Sequence, residues 1–309
     1  MKAVILAAGK GSRLFPATKA IAKPLLPIAN RMTLEYAFDQ MKECGIFDVC
    51  LVVGENEEQM RAALGDGRRF NIHLSYVNQP EAKGLAHAVG YAKDFVAGDS
   101  FMLYLGDAIY TEPLDGLVQT FRETGAANVN LVKDVDDPRR FGVANLEGDR
   151  IVKLVEKPAE PESNWAMAGA YVFGPELWTI LPDLKPSARG EYEITDAIQM
   201  LVDRGFDVLA RRFDGEWFDT GTLDSYLSTT AYMAGGRPLI DPLSKVEATL
   251  EGTVIVGPGA KVKAPLIRDS VILPGADVTS DGPIIGSILG GELDLTGETT
   301  GVIKYADLE

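Results

Sequence analysis

Histidine and cysteine are nearly missing from this chain, two of each among 309 residues. Cys44 and Cys50 cannot supply a disulfide framework or a four-ligand zinc site, so a reducing compartment is expected, with the cytoplasm as default. His73 and His87 are too few for a His-rich metal centre. Positive charge is also short: 30 Lys and Arg stand against 45 Asp and Glu, a formal charge of -15. That balance excludes a nonspecific nucleic-acid surface and adhesion to anionic membranes. Long apolar runs are lacking too. Met1-Lys2 leads straight into a core-strand pattern, so no signal or membrane-spanning segment is expected. A chain of this length holds one large α/β domain and a smaller appendage.

What is present in concentrated form is one stretch, AVILAAGKGSRLFPATKAIAKPLLPI, from Ala3 to Ile28. Its apolar opening over residues 3–7 reads as a buried parallel strand. Gly9 and Gly11 let the backbone turn tightly and bring amide hydrogens up to a bulky anion. Arg13 adds a planar five-donor fork and Lys23 a mobile ammonium, a pair suited to a polyphosphate. Lys10 and Lys19 complete a basic island in an acidic chain, and Pro16, Pro24 and Pro27 predict a stiff loop instead of a helix. The spacing is not the dinucleotide G-x-G-x-x-G, because Leu14 occupies the third glycine position, and it is not a Walker A loop. Standing alone, the G-x-G would equally be a structural turn.

Behind this stretch, strand patterns at 49–53, 70–77, 101–105 and 127–132 alternate with helical patterns at 33–45, around Met60 and Leu64, at 84–96 and at 114–121. Such alternation predicts right-handed crossovers and a Rossmann-like, three-layer, mostly parallel α/β sheet covered by helices. Ligands then sit at the carboxyl ends of strands, where the glycine loop and Asp107 both fall. Residues 134 to about 190 shift to hairpin-like strands, read as an insert. Gly235-Gly236 with Pro238 marks a boundary between a domain at 1–236 and a second at 237–309. In the second, VIVGPGA from Val254 and VILPGA from Val271 are near repeats 17 residues apart. Ile272, Val278 and Ile284 recur every six residues, as do Val256 and Val262. That period resembles the hexapeptide coils of a left-handed β-helix, with a plain β-rich cap as the alternative. So few coils would leave aliphatic residues exposed on a monomer, which predicts a homodimer or homotetramer built partly through a tail that chemistry does not need.

The run A-A-G-x-G-S-R-L-x-P followed by K-P-L-L-P resembles the signature of the sugar-phosphate nucleotidyltransferases, which join a nucleoside triphosphate to a sugar 1-phosphate. The resemblance runs from residue 2 to about residue 233 and is similar to the thymidylyl-transferring members of the longer type that carries a β-helical tail. It implies that Leu6, Ala8, Gly9, Gly11, Ser12 and Arg13 hold the nucleotide, with Lys23 on the triphosphate. Gln79 and the backbone near Gly84 would meet a pyrimidine, which a glutamine amide suits because it can both give and take a hydrogen bond. Tyr104-Leu105-Gly106-Asp107 and Trp217-Phe218-Asp219-Thr220-Gly221 match two metal-aspartate motifs, implying Mg²⁺ on Asp107 and Asp219. By pattern alone either aspartate is equally a helix cap or a turn residue.

Glu156-Lys157-Pro158 resembles the acceptor tripeptide, with the carboxylate on sugar hydroxyls and the ammonium on the acceptor phosphate. Gly142, Asn164, Met167 and Arg189 match further sugar-facing segments, with Arg189 or Glu191 at the rim. Phe141 stands where many relatives carry tyrosine and Ala168 where thymidylyl enzymes often carry threonine. His87 is expected to line its helix face. The implied donor is dTTP or UTP, since Ala20-Ile21 also resembles the uridylyl version of the signature, and the implied acceptor is glucose 1-phosphate. Two other classes stay open. One is a nucleotide-sugar sensor without turnover, against which the set Arg13, Lys23, Asp107, Lys157 and Asp219 argues. The other is an acyltransferase acting through the tail, which contains no histidine to serve as its base.

Overall fold

A computed structural model describes residues 1–306 and Leu308. It divides into two compact units: Met1–Gly9 with Tyr36–Trp217, and Lys10–Glu35 with Phe218–Glu309.

The first unit is built on one sheet. Its strands are β1 (Lys2–Leu6), β2 (Asp48–Val53), β3 (His73–Asn78), β4 (Phe101–Leu105), β5 (Asn128–Asp134), β6 (Gly142–Glu147), β7 (Arg150–Glu156), β8 (Trp165–Phe173) and β9 (Val208–Arg212). They lie in the order β3-β2-β1-β4-β8-β5-β9-β7-β6. β1 is buried from Ala3 to Leu6, as a strand covered on both faces must be. β3, β2, β1 and β4 run parallel, with Ala3 opposite both Val49 and Met102 and Asp48 opposite His73.

The sheet is mixed where the alternation predicts a mostly parallel one. β8 runs antiparallel to β4 and to β5, with Ala170 opposite Tyr104 and Val172 opposite Val129. β6 and β7 form a hairpin that joins β9 antiparallel. Only β5 and β9 are parallel in this half. The physical reason is connection length. The link from β6 to β7 is far shorter than the dozen or more residues that a parallel crossover needs, which makes that pair an antiparallel hairpin.

Helix Ile194–Asp203 buries Ile194, Ala197, Ile198 and Leu201, one face at helical period, in the sheet's core. The ring of Phe101 stacks on Phe173 at 5.6 Å and on Trp178 at 5.5 Å. The single helix predicted over 84–96 is broken at Ala92 into Leu85–Tyr91 and Lys93–Val96. Cys44 and Cys50 are free and buried, and burial pushes both thiols up to about 12, so neither is poised as a thiolate. Among the described residues no helix is long and apolar enough to cross a membrane.

The second unit joins stretches far apart in sequence. Lys10–Glu35 contributes the short turns Ser12–Leu14, Ala17–Ala20 and Lys23–Leu25 and the hairpin Pro27–Ile28 with Arg31–Met32. The prolines predict an irregular loop, yet single helical turns form because proline is tolerated in a first turn, where Pro24 stands. After helix Leu223–Ala234 come parallel strands β10 (Lys245–Val256), β11 (Lys261–Ile272), β12 (Asp277–Ser280), β13 (Ile288–Gly290), β14 (Glu292–Leu295) and β15 (Ile303–Tyr305). Val262 lies between Val246 and Val278, and Ile272 between Val256 and Leu289. The residues that recur every six, Val256, Val262, Ile272, Val278 and Ile284, are each at most 3% exposed and form the unit's core.

The amino-terminal stretch is bound into this second unit. The turn Ala17–Ala20 lies against β13 and β15. Asn30 Nδ2 donates to Leu239 O and Val256 O, each at 3.3 Å, and Tyr226 Oη donates to Pro27 O. Asn30 also stands at φ 62, in the left-handed region that asparagine tolerates. Asn30→Ala removes both hydrogen bonds and strains the turn, and is expected to cost about 2 kcal/mol. Urea midpoints of wild type, Asn30→Ala and Asn30→Gly check this, the glycine variant losing only the hydrogen-bond share.

Candidate active site

Because β3, β2, β1 and β4 are parallel, their carboxyl ends share one edge of the first unit's sheet. Ala7–Gly9 follows β1, Gly54 follows β2, Gln79 follows β3 and Gly106-Asp107 follows β4. Backbone bonds tie these ends together. Ala7 N–H donates to Val52 O at 2.8 Å, Gln79 N–H to Val53 O at 2.7 Å and Gly106 N–H to Leu6 O at 2.9 Å. Asn56 braces the same edge: its Nδ2 donates to Ala7 O at 2.8 Å while its Oδ1 accepts from Gly54 N–H at 2.9 Å. Leu6 is buried, Ala8 half-buried and Gly9 exposed. Asp107 is half-buried in a turn that leads into the short strand Ala108–Tyr110, so it caps no helix. Burial, with the Asp107 charge adding, pushes the nearby Tyr104 hydroxyl well above its usual range, and that hydroxyl donates to Ala108 O at 2.7 Å.

Gln79 is 5% exposed. Its Nε2 lies 3.4 Å from Gly84 O and 2.9 Å from His87 Nδ1. Gly84 stands at φ 105, and a Cβ there would lie 2.5–2.9 Å from the backbone of Tyr192. The close approach has a purpose. Tyr192 N–H donates to Lys83 O at 2.8 Å and Tyr192 O accepts from Ala86 N–H at 3.0 Å, so glycine is required for two chain segments to pair here.

A second cluster in the same unit gathers around the β6–β7 hairpin, where Gly142 pairs with Glu156. Thr195 Oγ1 donates to Glu156 Oε2 at 2.6 Å. A Cβ on Gly142 would lie 2.6 Å from that hydroxyl, 3.2 Å from Met167 Cγ and 3.3 Å from Glu156 Oε2. Lys157 is held at φ 44, its N–H donating to Phe141 O at 3.0 Å and its Nζ 3.4 Å from Glu156 Oε1. A non-glycine residue in that conformation is held there by its surroundings. Arg189 stands 3.8 Å from Glu156, 2.8 Å from Glu191 and 3.3 Å from Glu193. Glu193 is 3% exposed and also accepts from Ser187 Oγ at 2.9 Å.

Burial raises the carboxyl pKa of Glu193 and of Asp196, and the charge of Glu156 adds to both. Phe141 packs its ring on Trp217 at 4.8 Å, an apolar contact that a tyrosine hydroxyl would not need. Asn164 is exposed at the start of β8, and its carbonyl accepts from Val135 N–H at 3.1 Å. Ala168 is buried, its carbonyl taken by Tyr110 Oη.

In the second unit Gly11 takes a left-handed conformation, φ 63, and Thr18 Oγ1 donates to its carbonyl at 2.8 Å. Lys23 packs its stem over Gly11, where a Cβ would meet Lys23 Cβ at 3.1 Å, and is 8% exposed. Ser12 and Arg13 are exposed. Arg13 and Asp219 converge on Gly221: a Cβ there would lie 2.8 Å from the Arg13 guanidinium and 2.9 Å from Asp219 Oδ1. The cap of helix Leu223–Ala234 is Thr222, in a reciprocal capping box with Ser225, so Asp219 is not a capping residue. Among the described residues no three His, Cys, Asp or Glu side chains form a metal cage. Asn56 and Ser187 lie in no motif of the sequence, and Glu193 and Thr195 lie in the segment 189–196 that resembles a family motif without a role of their own. Only the fold brings them to Gly54, Glu156 and Arg189.

The family model described as Nucleotidyl transferase matches residues 2–235. The chain is 40% identical over 242 residues to the low-salt glycan biosynthesis nucleotidyltransferase Agl11 of Haloferax volcanii, covering 77% of this chain and 68% of that protein. It is 39% identical over 257 residues to a glucose-1-phosphate thymidylyltransferase of Streptomyces griseus, covering 82% and 72%. The solved structure of a UDP-glucose pyrophosphorylase complexed with UDP-glucose matches with a TM-score of 0.70 at 27% identity, over 76% of this chain and 99% of that one. With the strand-end edge, the acceptor-type cluster and these matches together, the chain belongs to the nucleotidyl transferase family, as a sugar-1-phosphate nucleotidyltransferase.

Proposed function

We propose that this enzyme transfers dTMP from dTTP to glucose 1-phosphate, giving dTDP-glucose and pyrophosphate, with UTP as the competing donor. The observation that carries the reading is Gln79, a buried amide at the carboxyl end of β3 with Gly84 beside it. Its chemistry suits the imide edge of a pyrimidine. Thymine differs from uracil by one methyl, worth about 1–3 kcal/mol in an apolar pocket, so the two donors should differ by no more than about 200-fold. For the acceptor, the Glu156 carboxylate takes hydroxyl hydrogens, while the Lys157 ammonium and Arg189 guanidinium offset a phosphate dianion.

The chemistry asks little covalent work of the protein. A phosphate oxygen of the acceptor attacks the α-phosphorus in line and pyrophosphate leaves, and no side chain need act as a strong base because the acceptor is already ionised. Arg13, Lys23 and the amides from Gly9 to Ser12 hold the triphosphate and offset the charge that builds up on it, with Leu6 and Ala8 lining the nucleotide. Gly142, Asn164 and Met167 bound the sugar. Asp107, in the first unit, and Asp219, in the second, are the carboxylates assigned to Mg²⁺. Mg²⁺ is a cation that takes one or two carboxylates and completes its shell with substrate phosphates and water. When bound, Mg²⁺ supplies charge neutralisation at the phosphates.

Residues 1–236 are taken as the catalytic domain. The parallel coils of 237–309 are taken as a short left-handed β-helix, supported by the buried six-residue recurrence, and as the basis of a homodimer or homotetramer in the cytoplasm.

Pyrophosphate release with dTTP, UTP, CTP, ATP and GTP against glucose, galactose, mannose and N-acetylglucosamine 1-phosphates tests the reading. dTTP with glucose 1-phosphate should give the highest kcat/KM, and a preference for a purine donor overturns the base assignment. Asp107→Asn and Asp219→Asn should each lower kcat by about 100-fold or more, with the melting temperature nearly unchanged. Thr222→Ala should do the reverse, costing about 1 kcal/mol of stability and sparing kcat. If Asp219→Asn melts early and turns over normally, it has no part in the chemistry. Gly142→Ala should raise the KM for the sugar phosphate about tenfold and leave that for dTTP alone, because its Cβ displaces Thr195 from Glu156. Initial rates at varied acceptor concentration measure that change.

A further inference from the structure

The Gln79 amide is more constrained than a base reader needs to be. Gly84 O can only accept, so the group facing it must be the amide NH₂ of Gln79. That same NH₂ lies 2.9 Å from His87 Nδ1, which must then be an unprotonated acceptor with the ring proton on Nε2. Both amide hydrogens are thereby committed inside the protein, and Oε1 is the atom left with which Gln79 can meet a base. Packing fixes the His87 ring in turn: it stands against Tyr91 edge-on at 5.1 Å and along Tyr192 at 6.0 Å. Its outer side borders a cavity of about 320 Å³ lined also by Leu181 and Leu184.

We infer that His87 is a positioning residue for base selection: by holding the Gln79 NH₂ it presents Gln79 as an acceptor only, which favours a base whose ring nitrogen on that edge carries an N–H. The N3–H of thymine or uracil meets that demand, whereas N3 of cytosine and N1 of adenine are acceptors and are refused at that position, leaving only an exocyclic amine to donate. This sharpens the pyrimidine reading above, on which it rests, and replaces an amide that gives and takes with one that only takes.

Protonation is the natural perturbation, because a proton on Nδ1 would set N–H against NH₂ and turn the Gln79 amide. The ionisable groups about the ring are Glu81 and Lys83 in the loop before its helix, Tyr91 on that helix and Tyr192 from the facing segment. Burial first, and Lys83 second, lower the His87 pKa from its ordinary 6.5, against a smaller opposing effect of Glu81. The acceptor state is therefore complete above that ordinary value and is lost only below it.

The test measures equilibrium binding of dTTP, UTP, CTP and ATP to the whole enzyme at pH 7.5 and 5.5. His87→Phe keeps the ring and removes the acceptor, and His87→Asn restores an acceptor oxygen. Wild type should lose its preference for dTTP over CTP on acidification. His87→Phe should bind dTTP about tenfold more weakly at pH 7.5, the worth of one hydrogen bond, with CTP unchanged and no pH effect. His87→Asn should recover the preference. Unchanged dTTP-over-CTP selectivity in His87→Phe overturns the role of His87 while leaving the thymidylyltransferase reading intact. A wild type that favours ATP at pH 7.5 overturns that reading and this inference together.

Discussion

Four parallel strands, β3-β2-β1-β4, of which β2, β1 and β4 are buried, set the constraint on which the first unit's chemistry depends. Between such strands the facing amides and carbonyls pair with one another, so they offer nothing to a ligand until the strands end. Parallel direction then gathers the ends onto one edge, and the residues found there are those able to leave a strand abruptly: Ala8-Gly9, Gly54, Gln79 with Pro80, and Gly106-Asp107. The strand-to-strand bonds of Ala7, Gln79 and Gly106 to the neighbouring strand's last carbonyls hold these exits in register. The side chain of Asn56 satisfies one further donor and one acceptor that the exits leave over. Polar groups so held lose little freedom on meeting a ligand, which is how preorganised donors become effective against a charged triphosphate.

A second constraint runs between the loop from Gln79 to Gly84 and the cluster around Glu156. The backbone of Tyr192 bonds Lys83 on one side and Ala86 on the other. One residue further along, Glu193 holds Arg189, and Thr195 holds Glu156. Gly84 is the residue that lets the two segments close, since any Cβ would collide with Tyr192. The orientation of Gln79 and the placement of Glu156 therefore hang on the same short piece of chain. A mutation that loosens residues 187–195 should be felt at both ends of the reaction and not at the sugar alone.

Much of this was legible before the fold was known, for reasons that differ by residue. Glycines, prolines and isolated charges at strand ends carry their chemistry in local pattern, which is why Gly9, Gly11 and Asp107 stand at turns or strand ends in the structure as expected. The six-residue recurrence in the tail reads equally directly as a buried face. Strand direction does not. Nothing in the apolar pattern of 165–173 says that it enters the sheet antiparallel between β4 and β5; only the register in the folded sheet does. Helpers such as Thr195, Ser187 and Asn56 are illegible for another reason. A hydroxyl or amide that supports a carboxylate is common on any surface, and it acquires meaning only when burial leaves it a single partner.

The stretch most readily recognised in the sequence is divided in the structure. The boundary between the two units falls between Gly9 and Lys10, inside the signature, so Gly9 belongs to the first body and Gly11 with the basic residues to the second. Lys10–Glu35 is ordered by the carboxyl-terminal part of the chain: Asn30 bonds Leu239 and Val256, Tyr226 bonds Pro27, and Ala17–Ala20 rests on β13 and β15. A segment carrying Pro16, Pro24 and Pro27 cannot make long helices of its own, and its single turns are too short to persist alone. Those tail contacts replace the missing local stability. Hence removing residues 237–309 would remove the hydrogen-bond acceptors of Asn30 and the strands on which Ala17–Ala20 rests. It would also strip the support from the residues, Arg13 and Lys23 among them, that the triphosphate is expected to meet. The tail's role in this second unit is then to hold a proline-interrupted stretch whose own turns are too short to persist alone.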